Sequence, residues 1–352
     1  GSATGMDPVA TEVMSTAGSL RSCIADLNDD GFDDVVQASH YSGSSYTTVS
    51  YIYWGSVNGI SETDSTPLET QSPYDCAIED MNQDGHLDIY FPAYAGTREA
   101  YVYWGSGSDV YDDTNRTSLP YADYTLHANV EDVNLDGYPD LLLGSYYSSD
   151  GVYLGSANGY STTTFESFNQ SYVYDLASAD LNNDGLYDLV TCQYANNAGN
   201  SYDSSSAIYW NGVSGFSNTF ITSLPTYGCR DVEITDANQD GYEDIVFVSH
   251  VSGPTNNYSY NTTSYIYYGS ASGYSEYNRD SLQSYGSLGA SIADLNFDGY
   301  PDLVLANYLN ASNNYTVDSY IYWGGTNGYA GNRTSLATTG VWDKPTIVGN
   351  VD

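Results

Sequence analysis

One nine-residue pattern, Asp-x-Asn-x-Asp-Gly-x-x-Asp, occurs six times in this 352-residue chain. It opens at Asp26 and returns at Asp80, Asp132, Asp180, Asp236 and Asp294, at steps of 54, 52, 48, 56 and 58 residues. A period of this size is that of a propeller blade and exceeds a leucine-rich or ankyrin repeat. A second marker follows each copy, an aromatic segment that in most copies ends in glycine. It reads Tyr51-Ile52-Tyr53-Trp54-Gly55, Tyr101-Val102-Tyr103-Trp104-Gly105 and Val152-Tyr153-Leu154-Gly155, then Ile208-Tyr209-Trp210, Tyr265-Ile266-Tyr267-Tyr268-Gly269 and Tyr320-Ile321-Tyr322-Trp323-Gly324.

A short apolar strand leads into each acidic loop, a second leaves it, and the aromatic segment makes a third. A weaker fourth follows, as at 116–119 and 333–336. Short strands with Gly-rich turns and no helical periodicity make an all-β chain. Four strands per repeat make a β-propeller of four-stranded blades. Six complete blades lie between about Leu20 and Ala337. Thr346 to Asp352 resembles the run-in to another loop and Thr11 to Thr16 a fourth strand, so the ring is expected to close with six blades, or with seven if a partial seventh is counted. Gly1 to Met6 read as a vector remnant, and residues 7–352 as a single domain.

The loop has the chemistry of a hard-cation site. Calcium takes six to eight oxygens. Positions 1, 3 and 5 offer side-chain oxygens, glycine at 6 permits the sharp turn, position 7 a main-chain carbonyl, and Asp at 9 a second carboxylate. The ligand sets so assigned are Asp26, Asn28, Asp30, Phe32 and Asp34; Asp80, Asn82, Asp84, His86 and Asp88; and Asp132, Asn134, Asp136, Tyr138 and Asp140. The later three are Asp180, Asn182, Asp184, Leu186 and Asp188; Asp236, Asn238, Asp240, Tyr242 and Asp244; and Asp294, Asn296, Asp298, Tyr300 and Asp302. Asn/Asp/Gly turns without metal are the alternative, but three carboxylates in nine residues repel one another. About six Ca²⁺ are therefore expected. Positions 1, 5 and 9 of the loops hold 18 of the 45 acidic residues, and twelve added charges would leave the formal charge near −26 rather than −38.

Only seven residues are basic, and Lys344 is the one lysine. Phosphate binding needs clustered Lys and Arg, so a nucleic-acid partner is excluded. No apolar run is long enough to span a bilayer, so no membrane insertion by this domain is expected. Aromatic residues are 15%, with 39 Tyr, which fits a folded β-rich chain rather than disorder. Cys23, Cys76, Cys192 and Cys229 form no Cys-x-x-Cys pair. Two disulfides, 23–76 and 192–229, would staple neighbouring blades; four buried thiols are the alternative. An acidic, Tyr-rich chain with an even cysteine count points to an extracellular or cell-surface protein.

The acidic loop followed by the Tyr-Trp-Gly strand resembles the FG-GAP/VCBS-type repeats of integrin α-subunit-like calcium-binding propellers and their bacterial or archaeal surface-protein relatives. The resemblance covers nearly the whole chain. It implies a calcium loop between the first and second strands on one face and ligands on the other. That family includes adhesion modules, lectins and some polysaccharide-lyase scaffolds, so it implies fold and metal more than function.

Six residues past each ninth-position Asp stand His40, Tyr94, Tyr146, Tyr194, His250 and Tyr308. All are aromatic or His, and tyrosine suits recognition surfaces. Tyr74, Tyr124, Tyr174, Tyr227 and Tyr285 precede first strands and are expected on the same face. The reading is an extracellular adhesion or recognition module that binds a glycan or protein ligand opposite the calcium loops. Ring tyrosines packing the channel is the alternative for these positions. A polysaccharide lyase would use His40 and Tyr94 as base and acid, with Arg21, Arg98 or Arg230 neutralising a uronate, but so few cations in so acidic a chain argue against an enzyme. A structural surface-protein spacer is the third reading.

Overall fold

The structure is a computed structural model. It describes residues 18–40, 46–94, 99–107, 110–120, 122, 124–147, 150–168, 170–310, 312, 314–326, 328, 329 and 331–340. The expectations for Gly1 to Met6, Thr11 to Thr16, Arg98 and Thr346 to Asp352 fall outside these residues.

Among the described residues every regular element is a strand. The first sheet comprises β1 (Ser19–Ala25), β2 (Asp34–Ser39), β3 (Thr48–Tyr53) and β4 (Ser65–Thr70); the second β5 (Ala77–Glu79), β6 (Asp88–Phe91), β7 (Ala100–Tyr103) and β8 (Arg116–Leu119). The third comprises β9 (Thr125–Glu131), β10 (Asp140–Ser145), β11 (Gly151–Tyr153) and β12 (Glu166–Ser167); the fourth β13 (Val173–Ala179), β14 (Asp188–Gln193), β15 (Asp203–Tyr209) and β16 (Ile221–Tyr227). The fifth comprises β17 (Cys229–Thr235), β18 (Asp244–Ser249), β19 (Asn261–Tyr267) and β20 (Arg279–Tyr285); the sixth β21 (Gly289–Ala293), β22 (Asp302–Ala306), β23 (Ser319–Tyr322) and β24 (Arg333–Leu336). Each sheet keeps its four strands in chain order, and the pairs are antiparallel. This is the six-blade, four-strand arrangement of a β-propeller. Every second strand begins at a ninth-position Asp, as the repeat predicts.

The chain packs as two compact units, residues 1–130 with 153–165 and residues 131–152 with 166–352. Within each, the core lies between the faces of neighbouring sheets. In the first unit Val36, Ile52 and Leu68 of sheet one meet Ile89, Phe91 and Tyr103 of sheet two. In the second, Val190, Ile208 and Leu224 meet Val232, Ile245 and Phe247, and Val248, Ile266 and Leu282 meet Leu303, Leu305 and Tyr320. The second strands are buried on both faces, for example 188–193 and 244–249, which is why they read as continuous apolar runs.

So Ser-rich a chain holds its strands together partly through buried hydroxyls. Where the second and third strands part, the amide of the last second-strand residue donates to a third-strand Ser: Ser39 to Ser50 Oγ at 3.0 Å, Gln193 to Ser206 at 3.1 Å and Ser249 to Ser264 at 2.9 Å. In the short third sheet the Asp150 carboxylate takes this part, 2.6 Å from the Ser145 amide. Each hydroxyl satisfies a buried amide that the ladder no longer reaches.

A second device links blades within a unit. Five residues before the loops stand Arg21, Asp75, His127, Asp175 and Asp231. Asp175 Oδ2 accepts the Val232 amide at 3.2 Å, and Asp231 Oδ2 accepts the Ala290 amide at 2.7 Å, each in the next sheet. In the first unit the same positions make an ionic chain: Asp75 Oδ2 lies 2.9 Å from His127 Nδ1 and 3.8 Å from Arg21. Beside it Cys23 is bonded to Cys76, and in the second unit Cys192 to Cys229.

Both disulfides join neighbouring blades across 53 and 37 residues of chain. Closing loops of this size in the unfolded chain is worth roughly 4 kcal/mol each by loop-closure entropy. Reducing the protein, or replacing Cys192 and Cys229 with Ser, is expected to lower the denaturant midpoint accordingly. Thiol titration of the unreduced, unfolded chain should find no free thiol; two or more would refute the pairing.

Candidate functional site

The six loops share one hydrogen-bonded form. In the first, Asp26 Oδ1 accepts the Asp30 amide at 3.1 Å and Oδ2 the Gly31 amide at 2.8 Å. Asn28 Oδ1 also accepts from the Asp30 amide, and Asp30 Oδ1 accepts from Phe32. Residue 4 is left-handed in every loop, from Asp29 at φ 57° to Phe297 at 60°, and Gly31 at 89° continues the turn with open space where a Cβ would stand. The side chains of positions 1, 3 and 5 are thereby wrapped around their own backbone. Five loops add a link from Asn Nδ2 to the position-5 Asp, at 3.0–3.3 Å.

The ninth Asp is fully buried in all six copies. One oxygen of Asp34 accepts the Leu27 amide at 2.9 Å, and the other the Gly55 amide at 2.6 Å. Asp88, Asp188, Asp244 and Asp302 repeat this double acceptance, from Met81 and Gly105, Leu181 and Asn211, Ala237 and Gly269, and Leu295 and Gly324. The glycine that ends the aromatic segment is thus explained. Its amide caps the aspartate, and a Cβ on Gly55 would collide with the Asp33 carbonyl oxygen. Asn211 stands there in the fourth copy and ties its own Nδ2 to the Val133 carbonyl at 2.7 Å.

Burial drives the carboxyls of Asp88, Asp188 and Asp244 up to about 7, against the pull of their amide donors, and the loop carboxylates at positions 1 or 5 push the same way. Asp34 is raised for the same reasons. A divalent cation would offset that charge, and the donors are oxygens alone, as calcium takes. Positions 1, 3 and 5, the carbonyl of position 7 and the ninth Asp would hold it. Among the described residues, the three-membered grouping of His, Cys and acidic ligand atoms within 4.8 Å is Cys23, Asp75 and Cys76. Its sulfurs are in a disulfide and its carboxylate serves Arg21 and His127, so it is not a metal site. The loop carboxylates alone do not close that tightly in threes.

At the other end of each second strand stands the residue six past the ninth Asp, about 20 Å along an extended chain. In the first unit His40 and Tyr94 meet, ring centroids 5.4 Å apart, with Tyr74 against both at 4.2 and 4.4 Å and Tyr124 against Tyr94 at 5.8 Å. In the second unit the other four make a continuous arc: Tyr146 to Tyr194 at 5.9 Å, Tyr194 to His250 at 6.2 Å, and His250 to Tyr308 at 6.2 Å. Tyr174 joins this arc 5.9 Å from Tyr194.

Tyr227 and Tyr285 do not join it. They end seven-residue fourth strands, and this turns them onto the third-strand rings of Tyr265 and Tyr320, at 5.9 and 6.3 Å. Their places are filled by tyrosines of the connections between second and third strands, to which the repeat pattern does not point. Tyr202 packs on Tyr194 at 5.2 Å, Tyr260 on His250 at 5.1 Å, and Tyr258 bridges those two at 5.8 and 5.5 Å. The loops are zipped together: Gly253 takes the Tyr202 amide at 2.9 Å and gives its own to Asp203 at 2.8 Å. Tyr147, Tyr258 and Tyr315 are about half exposed, so the arc has an accessible rim.

Both histidines sit in the rings as neutral groups. Burial lowers His40 and lowers His250 further, to about 3, with the Arg230 charge adding to the effect. His250 Nδ1 donates to the Gly286 carbonyl at 3.0 Å. An unfolded His titrates near 6.5. Between pH 6.5 and 3 the unfolded chain therefore holds the extra proton, so this residue's contribution to stability is complete above 6.5 and falls as the pH drops. In ¹⁵N NMR the His250 ring is expected to stay neutral at pH 5; a midpoint near 6.5 would contradict its burial.

A family model described as FG-GAP-like repeat matches residues 26–91, 132–191 and 180–247. Chicken integrin alpha-6 is 31% identical over 150 residues, 37% of this chain and 13% of the integrin, so the chain spans a small part of that relative. A lectin of Agrocybe aegerita that recognises non-reducing terminal N-acetylglucosamine shares the fold at a TM-score of 0.50 and 14% identity, over 90% of this chain and 80% of that one. BBS1N, solved in complex with ARL6DN, does so at 0.53 and 12%, over 96% and 87%. Because the family model covers more than half of its length, the chain belongs to the FG-GAP-like repeat family.

Proposed function

We propose that this chain is a calcium-stabilised recognition module of the cell exterior, which binds a glycan in an adhesive role through the aromatic arc of its second unit. The observation that carries the reading is the arc itself. Tyr146, Tyr194, His250 and Tyr308 stand at equivalent positions, yet they are lined by Tyr147, Tyr202, Tyr258 and Tyr260 from elements that do not repeat. Packing would need only the repeated residues. Tyrosine offers an apolar ring face and a hydroxyl at small entropic cost, which suits the faces and hydroxyls of a sugar. Interlocked loops lower the cost of ordering on binding. Tyr172, packed on Tyr146 at 5.4 Å, holds a left-handed φ of 60° without being glycine, the kind of backbone strain that collects at ligand sites.

The two disulfides support an oxidising, extracellular setting. We read a binder rather than an enzyme. The His40–Tyr94 pair that a lyase would use is packed on Tyr74, His40 Nδ1 is tied to Ser72 at 3.0 Å, and Arg21 is paired with Asp75.

Calorimetric titration is expected to count about six Ca²⁺, and Asp136→Ala to remove one. EDTA should lower the melting temperature, because metal that binds the folded state alone stabilises it by mass action. A melting temperature indifferent to EDTA would end the calcium reading. For the arc, a glycan array is the first measurement. Tyr147→Ala with Tyr258→Ala, both on the exposed rim, should weaken binding at least tenfold and shift stability by no more than about 1 kcal/mol. Unchanged binding would move the site elsewhere.

A further inference from the structure

Arg230 is held in the arc by a break in strand register. Along β17 and β18, Cys229 faces Ser249 and Asp231 faces Val248, which leaves Arg230 as the extra residue of a β-bulge. The same irregularity in β13, between Val173 and Asp175, makes Tyr174 its counterpart. Bulges re-aim side chains that a regular strand would send elsewhere. Here the two bulged residues meet: the guanidinium carbon of Arg230 lies 3.8 Å from the centroid of the Tyr174 ring. The same guanidinium is close enough to Tyr194, His250 and Tyr308 to bias the ionisation of all three.

Among the described arginines, Arg230 is the exception in its bonding. Arg21 pairs with Asp75, Arg116 with Glu69 and Asp113, Arg279 bonds the Tyr267 hydroxyl, and Arg333 the Tyr322 hydroxyl at 3.2 Å. Arg230 has no carboxylate or hydroxyl partner among the described residues, and its Nε is buried without an acceptor. Carboxylates outnumber cations 45 to 7 in this chain, so an arginine left without one is conspicuous. A buried polar atom without a partner calls for an explanation, and an anion supplied from outside is one.

We propose that Arg230 anchors the carboxylate of an acidic sugar, a hexuronate unit of a glycan seated on Tyr174, Tyr194 and His250. The planar guanidinium fork matches a carboxylate with two parallel N–H donors. One arginine balances one negative charge, and the other described arginines are engaged elsewhere, so among the described residues a phosphate dianion would lack a second cation. The neighbouring groups are ring faces, phenol hydroxyls and a neutral imidazole, which suit a sugar better than an aliphatic peptide side chain. Repulsion from the acidic chain as a whole is screened beyond about 8 Å at physiological salt, so the local pair decides. The inference rests on the recognition reading of the arc and names its ligand class.

The test is titration of the calcium-loaded chain with a hexuronate–hexose disaccharide, its carboxyl-reduced neutral counterpart and an acidic hexapeptide. The acidic disaccharide should bind at least tenfold more tightly than the reduced one. Arg230→Gln should erase that difference, keep the weaker neutral binding, and leave the melting temperature unchanged or raised. Should the variant unfold, the wild-type Arg230 Nε–H resonance carries the test, shifting with the acidic disaccharide and not with the reduced one. Equal binding of the two sugars, or an unaltered preference in Arg230→Gln, overturns the proposal while a glycan response lost in Tyr147→Ala/Tyr258→Ala keeps the arc as the site. Tighter binding of the peptide, or no binding of any probe, also overturns it, and the array result then judges the recognition reading separately.

Discussion

Each blade depends on a carboxylate that has been taken out of water. The ninth Asp of every loop is buried, and in five copies its two oxygens are seen to accept one amide from the start of its own loop and one from the end of the third strand. This joins the loop, the second strand and the third strand at one point. It fixes where the second strand starts, and so which residues of that strand face the neighbouring sheet. The same burial penalises the charge of Asp34, Asp88, Asp188 and Asp244, and a cation in the loop would offset it. One group thus fastens that end of the blade and would also be a ligand of a cation held there.

The opposite ends of the second strands answer to different constraints. There the ladder opens, Ser and Thr hydroxyls replace main-chain partners, and the connecting loops differ from blade to blade. Because the buried aspartate has already set the strand's position, these loops can vary in length without disturbing the core. Aromatic rings collect in that region of the second unit because each second strand delivers one there, and the variable loops deliver the rest.

Much of this was legible in the sequence. The repeat spacing placed all six loops, the start of each second strand and the weak fourth strands, because an acidic nonapeptide with an obligatory turn has few ways to fold. The cysteine pairing followed from the position of each Cys relative to its loop. What stayed hidden was register. Tyr174 lies in a first strand, six residues before its loop, whereas Tyr227 and Tyr285 stand nine before theirs, at the ends of fourth strands, and pack on Tyr265 and Tyr320. The bulge that carries Arg230 has no residue signature of its own. The blade-to-blade chain of Asp75, Asp175 and Asp231 was visible as an aspartate five residues ahead of three loops, a regularity that only its partners explain.

The glycine at the end of the aromatic segment belongs to the same sheet as the aspartate it caps. The five copies in which this bond is seen therefore carry both halves of their own lock, and none of them borrows a half from the copy before or after. A stretch of gene encoding one repeat can be duplicated, lost or exchanged with its neighbour and still encode a sheet that fastens itself. Such a design lends itself to growth by tandem copying. The fourth copy keeps the fastening without the glycine: the main-chain amide of Asn211 still caps Asp188, and its side chain bonds the Tyr187 carbonyl at 3.0 Å.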